Sequence, residues 1–228
     1  MMEAGGEAPS PNPLPQSRER EAASFLSVPS PHYPSVMPFR LDQSLADART
    51  ALDGLIADKA ALDACSAACA TMAVSLKAGG KVMICGNGGS SCDANHFAEE
   101  LTGRFRADRA PIAALACTDA GHITCTANDY GFDHVFSRWV LALGRPGDVL
   151  IVLSTSGNSA NIVKAVEAGK ERQMQTVALL GKSGGALKGK CLHEIVVPGT
   201  TSDRIQELHM LILHAWCEGI EKLLGHAG

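Results

Sequence analysis

His96 and Glu100 are the first residues in the chain whose types and spacing could support chemistry. They stand four residues apart in "NHFAEEL", so on a helix both side chains would lie on one face, one turn from each other. An imidazole beside a carboxylate can bind a metal ion or transfer a proton. A solvated pair on a helix surface has the same spacing, and the sequence alone leaves both interpretations open.

A second group of polar residues lies in "SDRIQELHMLILHAWCEGIEKLL", an otherwise apolar segment near the C-terminus. On a helix, Asp203 and His214 would be only about 20° apart in projection, with Gln206 about 60° to one side. Such a stripe could face a site, and His209 lies near it. In the alternative interpretation, His214 is a satisfied core histidine and Asp203 only caps the helix.

Two loops are rich in Gly, Ser and Asn: "GNGGSS" at 86–91 and "STSGNS" at 154–159. Hydroxyl groups and the backbone amides of a helix N-terminus can together hold a phosphate dianion without any Lys or Arg. A capped turn with solvated serines is the competing interpretation. The candidate phosphate ligands are Ser154, Thr155, Ser156 and Ser159, with Ser90 as a further donor from the first loop.

Nucleotide binding fits these loops poorly. "GNGGSS" resembles the dinucleotide fingerprint, but Ser91 replaces its last glycine, and no acidic residue follows at about 20 residues. "GKS" at 181–183 resembles the end of a P-loop, yet Thr176 stands where the leading glycine belongs. We therefore expect no nucleotide cofactor.

The elements that must position these residues alternate regularly from residue 81 onward. Uninterrupted apolar strands separated by helices indicate a parallel sheet covered on both faces, and ligands bind at the carboxyl ends of such strands. Residues 41–80 have helical spacing and end at a Gly pair, which predicts an N-terminal helical hairpin. We predict an α/β fold, a three-layer sandwich with a five-stranded parallel sheet. Its strands are "KVMICG", "PIAALAC", "DVLIVLS", "QTVALLG" and "HEIVVP", and its helices cover 92–104, 119–128, 133–143 and 160–172, with a short one near 185–189 before the C-terminal helix.

Composition narrows the function classes. The net charge of −4 argues against nucleic acid as a partner, and no apolar run reaches the length of about 18 residues that a membrane span needs. None of the eight cysteines forms a CxxC pair, and most lie in apolar runs, which favours reduced, buried thiols and a cytoplasmic location.

The first 40 residues differ from the rest of the chain, because they hold eight of the eleven prolines and show no periodicity. That composition predicts a disordered Pro/Ser-rich extension, residues 1–40, before a single domain over 41–228. A misassigned start, with Met37 as the true initiator, is the alternative.

Four segments together resemble one family: "GNGGSSCDANHFAEELTGRF", "ANDYGF", "STSGNSAN" and "DRIQELHMLILH". They are similar in order and spacing to bacterial phosphoheptose isomerases of the sugar isomerase (SIS) fold, over about residues 41–225. The resemblance implies conversion of D-sedoheptulose 7-phosphate to D-glycero-D-manno-heptose 7-phosphate, the entry step to activated heptose for lipopolysaccharide or other surface glycans.

The resemblance also implies residue roles. Glu100 would be the base that moves a proton between C1 and C2, and His214 its acid partner. The serine and threonine ligands named above would hold the phosphate. The remaining substrate contacts would be Asn87, Gly88, Gly89, Asn128, Asp129, Asp203 and Gln206.

Zinc and assembly are further expectations from the family. The resemblance implies His96, Glu100, Gln206 and His214 as zinc ligands, although Gln206 and His214 would be about 12 Å apart along one helix. It also implies a homotetramer with active sites at subunit interfaces. The competing function is a non-catalytic SIS adaptor that binds the replication initiator or senses a sugar phosphate, but such a module needs no carboxylate and imidazole facing the phosphate loops.

Overall fold

The structure, a computed structural model, describes residues 40–226. The predicted disordered extension and the alternative start at Met37 fall on residues 1–39, outside the described part of the chain. From Leu41 onward the described chain forms one compact unit.

Seven α-helices and five strands make up the described chain. The helices are α1 (Leu41–Ala57), α2 (Lys59–Lys77), α3 (Gly89–Thr102), α4 (Ala120–Tyr130), α5 (Val135–Leu143), α6 (Ala160–Glu171) and α7 (Ser202–Leu224). The strands are β1 (Val82–Gly86), β2 (Ala114–Ala116), β3 (Val149–Ser154), β4 (Gln175–Leu180) and β5 (His193–Val196). Short 3₁₀ turns lie at Phe132–His134 and Gly185–Leu187.

All five strands are parallel, in the order β2-β1-β3-β4-β5, which confirms the predicted sheet. The chain leaves β1 towards β2 on one side and later returns to β3 on the other side. This reversal opens a crevice at the carboxyl ends of β1 and β3, where open α/β sheets bind ligands. Both Gly/Ser loops begin at this crevice, since β1 ends at Gly86 and β3 ends at Ser154.

Two apolar cores, one on each face of the sheet, confirm the three-layer sandwich. On one face, α1, α2, α3 and α7 pack around residues such as Met72, Phe97 and Leu213. On the other face, α5 and α6 pack around residues such as Phe136 and Ile162. Between them, β1 and β3 are buried along their whole length and β4 is buried after its first residue, which is why these sequences are apolar.

The element boundaries depart from prediction where glycine, serine and proline are involved. Helix α3 begins at Gly89, not residue 92, because Gly89, Ser90 and Ser91 form its first turn instead of a loop. Strand β2 keeps only three residues of "PIAALAC", whose Pro111 has no N–H to contribute to a sheet.

Helix α2 is long and apolar enough to cross a bilayer by length and composition alone. Its Ala68 and Met72 are fully buried in the core beside α7, and core helices meet the same criterion. The eight cysteines are all free thiols: four are buried, Cys65 and Cys191 are half-buried, and only Cys92 and Cys125 are exposed, in line with the expectation of mostly buried thiols.

Candidate active site

A polar cavity of about 220 Å³ lies at the crevice between β1 and β3. Four of the five predicted phosphate ligands line it, together with two predicted substrate contacts and Ser202, which the sequence analysis did not single out. The lining residues are Asn87, Ser90, Leu153, Ser154, Thr155, Ser159, Ser202 and Gln206.

Three helix N-termini converge on this cavity. Ser90 lies in the first turn of α3, Ser159 is the N-cap of α6, and Ser202 is the first residue of α7. Ser159 makes no side-chain capping bond, so its hydroxyl is available to a ligand. No Lys or Arg is among the described residues that line the cavity. The positive dipole ends of three helices, supplemented by hydroxyls, form a neutral anion site.

Hydrogen bonds within the 154–159 loop fix its shape. The Gly157 N–H donates to Ser154 Oγ at 3.0 Å, and the Asn158 N–H donates to Ser156 Oγ at 3.2 Å. Thr155 Oγ1 lies 3.2 Å from Ser202 Oγ, which ties the loop to the start of α7. Ser156 therefore holds the loop together and does not line the cavity, unlike the other predicted phosphate ligands.

Asn87 and Asn161 join the two loops through a reciprocal amide pair. Asn87 Nδ2 donates to Asn161 Oδ1 and Asn161 Nδ2 donates to Asn87 Oδ1, each at 2.9 Å. Asn161 is buried in the first turn of α6. The pair fixes the side chain that the resemblance places against the sugar.

The glycines of the first loop allow α3 and α7 to approach closely. Gly88 is the residue before α3, and Gly89 is its first residue. A Cβ atom at Gly89 would lie 2.8 Å from the Gln206 amide, so glycine leaves room for that side chain. Gln206 Nε2 in turn lies 3.4 Å from Ser90 Oγ.

Further along α3 and α7, His96, Glu100 and His214 form a compact cluster. His96 Nε2 lies 3.1 Å from His214 Nε2 and 3.3 Å from Glu100 Oε1. The Glu100 side chain is only 14% exposed, so its carboxylate is largely withdrawn from water. The i, i+4 pair of α3 is therefore only partly solvated, since the His96 side chain is 41% exposed, and the half-buried His214 belongs to this cluster and is not a core histidine.

Neighbouring side chains orient the cluster. Glu99 is exposed, but its Oε2 lies 3.2 Å from His96 Nδ1. Carboxylates therefore lie at both ring nitrogens of His96, Glu99 at Nδ1 and Glu100 at Nε2, and together they fix the orientation of the ring. The Phe105 ring lies 5.7 Å from the His214 ring and limits its movement on the other side.

The donor set fits a zinc ion. One ligand atom each from His96, Glu100 and His214 lies within 4.8 Å of the other two, and two imidazoles with one carboxylate are a common zinc ligand set. Gln206 lies beside Ser90 in the polar cavity, two turns before His214 on α7. Its part in a metal site remains a prediction.

Three predicted substrate contacts belong neither to the cavity lining nor to the His/Glu cluster. Asn128 and Asp129 are exposed near the end of α4, where Asn128 Nδ2 donates to Asp129 Oδ1. Asp203 is exposed in the first turn of α7, and a hydrogen bond from the Thr201 hydroxyl holds its carboxyl pKa below the usual value.

The sequence analysis missed three residues that support the site. Asn161 comes two residues after "STSGNS", and Ser202 directly precedes Asp203, so each stood close to a segment already of interest. Arg109, whose guanidinium contacts the end of α3, lies in an irregular segment with no recognisable spacing.

Known proteins are similar to this chain in sequence. The SIS domain family matches residues 46–181. A phosphoheptose isomerase from Fusobacterium nucleatum is 58% identical over 146 residues, covering 64% of this chain and 75% of that protein. A phosphoheptose isomerase from Enterobacter sp. (strain 638) is 50% identical over 179 residues, covering 78% and 93%.

Solved structures agree with these relatives. The phosphoheptose isomerase GmhA from Neisseria gonorrhoeae superposes with a TM-score of 0.72 at 44% identity, covering 79% of this chain and 97% of that one. The sugar isomerase domain of an RpiR transcription factor from Sphaerobacter thermophilus, at 16% identity and a TM-score of 0.54, shares the fold alone. The chain belongs to the SIS-domain family and, within it, to the phosphoheptose isomerases.

Proposed function

We propose that this protein isomerises D-sedoheptulose 7-phosphate to D-glycero-D-manno-heptose 7-phosphate, the first step of activated-heptose synthesis. One observation carries the proposal: α3 holds Ser90 of the neutral anion cavity near its start and Glu100 of the His/Glu cluster near its end. The step of ten residues from Ser90 to Glu100 corresponds to about 15 Å along the helix. An extended seven-carbon sugar phosphate, with C1 and C2 at the end opposite the phosphate, suits such a spacing.

The residues support an enediol mechanism. The cavity hydroxyls and helix amides would hold the phosphate, which fixes C1 and C2 near the cluster. Glu100 would remove the proton from C1 to form the enediol and return it to C2. His214 would protonate the ketone oxygen and accept the proton of the C1 hydroxyl, so no net proton is gained or lost. A zinc ion held by one ligand atom each of His96, Glu100 and His214 would polarise the substrate oxygens, and proton transfer would then use the carboxylate oxygen and the ring nitrogen that do not bind the ion.

The decisive test is turnover. Purified protein is incubated with sedoheptulose 7-phosphate, and aldoheptose formation is followed. We expect Glu100→Gln to lower kcat by about 10²- to 10⁴-fold, the scale of losing a general base, and His214→Asn to lower it as well. Glu99→Gln is the matched control, because the neighbouring carboxylate contacts only His96 and should cost far less. Unchanged turnover in Glu100→Gln would remove the base from the mechanism.

The zinc proposal has a separate test. Metal content of the purified protein is measured by mass spectrometry, with His96→Asn as the variant and His122→Asn as the control, since His122 contacts the Val135 carbonyl outside the cluster. We expect about one zinc per chain in the wild type and in the control, and loss of metal in His96→Asn. Full activity after verified removal of the metal would exclude an essential ion.

The apolar groove between α1, α2 and α7 supports assembly with further copies of the chain. Leu62, Leu211 and Leu223 are each more than 40% exposed along it, and on α1 Leu41 and Leu45 are 56% and 61% exposed although their spacing suits burial. Large exposed apolar patches mark interfaces.

We propose that a second copy covers this groove in a homotetramer, and that Asn128 and Asp129 reach the site of a neighbouring subunit. Leu211→Asp should lower the mass measured by light scattering. Leu192→Asp, at a similarly exposed leucine beside β5, should not. An unchanged mass in Leu211→Asp would exclude this face.

A further inference from the structure

The end of α3 is held by one buried side chain. The last carbonyls of a helix have no partners within it, and here the Arg109 guanidinium supplies donors to several of them. Its Nη2 donates to the Glu100 carbonyl at 2.6 Å, and its Nη1 donates to the Leu101 carbonyl at 2.8 Å. The Arg109 side chain is only 3% exposed, and its charge complements the negative end of the helix dipole.

The same guanidinium also reaches α7. Arg109 Nε donates to Glu221 Oε1 at 2.6 Å, and the Glu221 side chain is 12% exposed. Glu221 follows His214 by seven residues, about two turns, so both lie on the face of α7 that turns towards α3. One buried group therefore contacts the backbone of Glu100 and the helix that carries His214.

We infer that Arg109 and Glu221 are positioning residues that set the separation between Glu100 and His214. This inference rests on the proposed function, since it concerns the same base and acid. A planar guanidinium with fixed donor directions can hold two carbonyls and a carboxylate at once, which a lysine cannot do. The ends of two helices are thereby fixed at the point where the cluster needs its geometry.

A second ion pair between the same two segments provides a matched control. Arg106 Nη1 lies 3.1 Å from Glu218 Oε2, but these side chains are 66% and 37% exposed. Exposed pairs contribute little to structure, so this pair should not set the cluster geometry. Glu218 and Glu221 lie on adjacent turns of α7, and we expect their substitution to have different effects on kcat.

The experiment compares Glu221→Ala, Glu221→Gln and Glu218→Ala with the wild type. Glu221→Gln keeps an oxygen acceptor for Arg109 at the same length. Aldoheptose formation gives kcat and KM. Calorimetric titration with inorganic phosphate gives the affinity and the number of sites per chain, which reports whether every molecule is folded.

We expect Glu221→Ala to lower kcat by about 10- to 100-fold, because small displacements of reacting groups are costly, while KM, phosphate affinity and stoichiometry stay within about twofold. Glu221→Gln should recover most of the loss, and Glu218→Ala should match the wild type. A purely structural role would lower the phosphate stoichiometry and kcat together, which would overturn the inference, as would an unchanged kcat in Glu221→Ala.

Two further outcomes have defined meanings. If Glu221→Ala does not fold, Glu221→Asp carries the test, because it keeps the charge but shortens the link by one methylene. An unchanged kcat in that variant refutes the inference. Absence of isomerisation by the wild type would instead refute the proposed function, so the two failures are distinguishable.

Discussion

His209 should make the stability of this protein sensitive to mild acid. It is fully buried on α7, and its Nε2 lies 3.1 Å from the Leu180 carbonyl at the end of β4. A carbonyl only accepts, so Nε2 carries the proton, and Nδ1 is left buried without a partner. Burial lowers the pKa of His209 from 6.5 to about 4, although the Leu180 carbonyl opposes this shift.

The sign of the effect follows from where the proton binds. The folded pKa is below the unfolded value, so the unfolded chain takes up the proton first as the pH falls. The full stability is present above pH 6.5 and is lost as the pH falls from 6.5 towards 4. At about 1.4 kcal/mol per pKa unit, the total loss is about 3 kcal/mol, of which about 2 kcal/mol is lost by pH 5. That is a substantial part of a typical stability of about 5–15 kcal/mol.

Denaturant unfolding at pH 7.5 and pH 5.0, at one fixed protein concentration, measures this loss. His209→Gln is the comparison, because its amide can still donate to the Leu180 carbonyl but does not titrate. His193, whose pKa burial also lowers, is present in both proteins and cancels. We expect the wild type to lose about 2 kcal/mol more than the variant between the two pH values. Equal losses would show that His209 is not the titrating group.

Three other substitutions test the site and its supports. Gly157→Ala should lower kcat/KM at least about tenfold, because the added Cβ would lie 1.9 Å from the Gly184 carbonyl oxygen and would displace the 154–159 loop. Wild-type kinetics in this variant would refute the prediction. Asn161→Asp should raise KM more than Asn161→Ala, because a carboxylate cannot donate to Asn87 and repels the phosphate. A larger KM for Asn161→Ala than for Asn161→Asp would contradict this prediction. Asp148→Ala should cost about 3–5 kcal/mol in denaturant unfolding without changing kcat, because it leaves Lys81 and the Arg145 N–H unpaired at the amino ends of β1 and β3, opposite the cavity. The exposed Asp53→Ala should cost under about 1 kcal/mol, and similar losses in both would refute the reasoning.

Most of the fold could be predicted from the periodicity of apolar residues in the sequence. Uninterrupted apolar runs and intervening helical segments predicted the sheet and its layers, because burial on both faces leaves a clear pattern. The predicted boundaries of α3 and β2 were less accurate than the predicted order of the elements. Gly-Ser-Ser can form either a loop or a first helical turn, and Pro111 shortens an edge strand.

The site was only partly predictable for a different reason. Spacing along one helix placed His96 and Glu100 on a common face, but only tertiary packing brings His214 to 3.1 Å from His96. Residue type alone could not separate His209, a core residue, from His214, because both lie in the same apolar run. Arg109 acts through backbone carbonyls, and such contacts leave no pattern in the sequence.

The neutral lining of the anion cavity has a consequence for how substrate arrives. Helix dipoles and hydroxyls act over a few ångströms, so they give no long-range attraction that would guide a dianion through solution. The chain as a whole carries a formal charge of −4, which repels it. Added salt usually slows the capture of charged ligands by screening attraction, but here it screens repulsion. Substrate capture should therefore accelerate slightly as ionic strength rises.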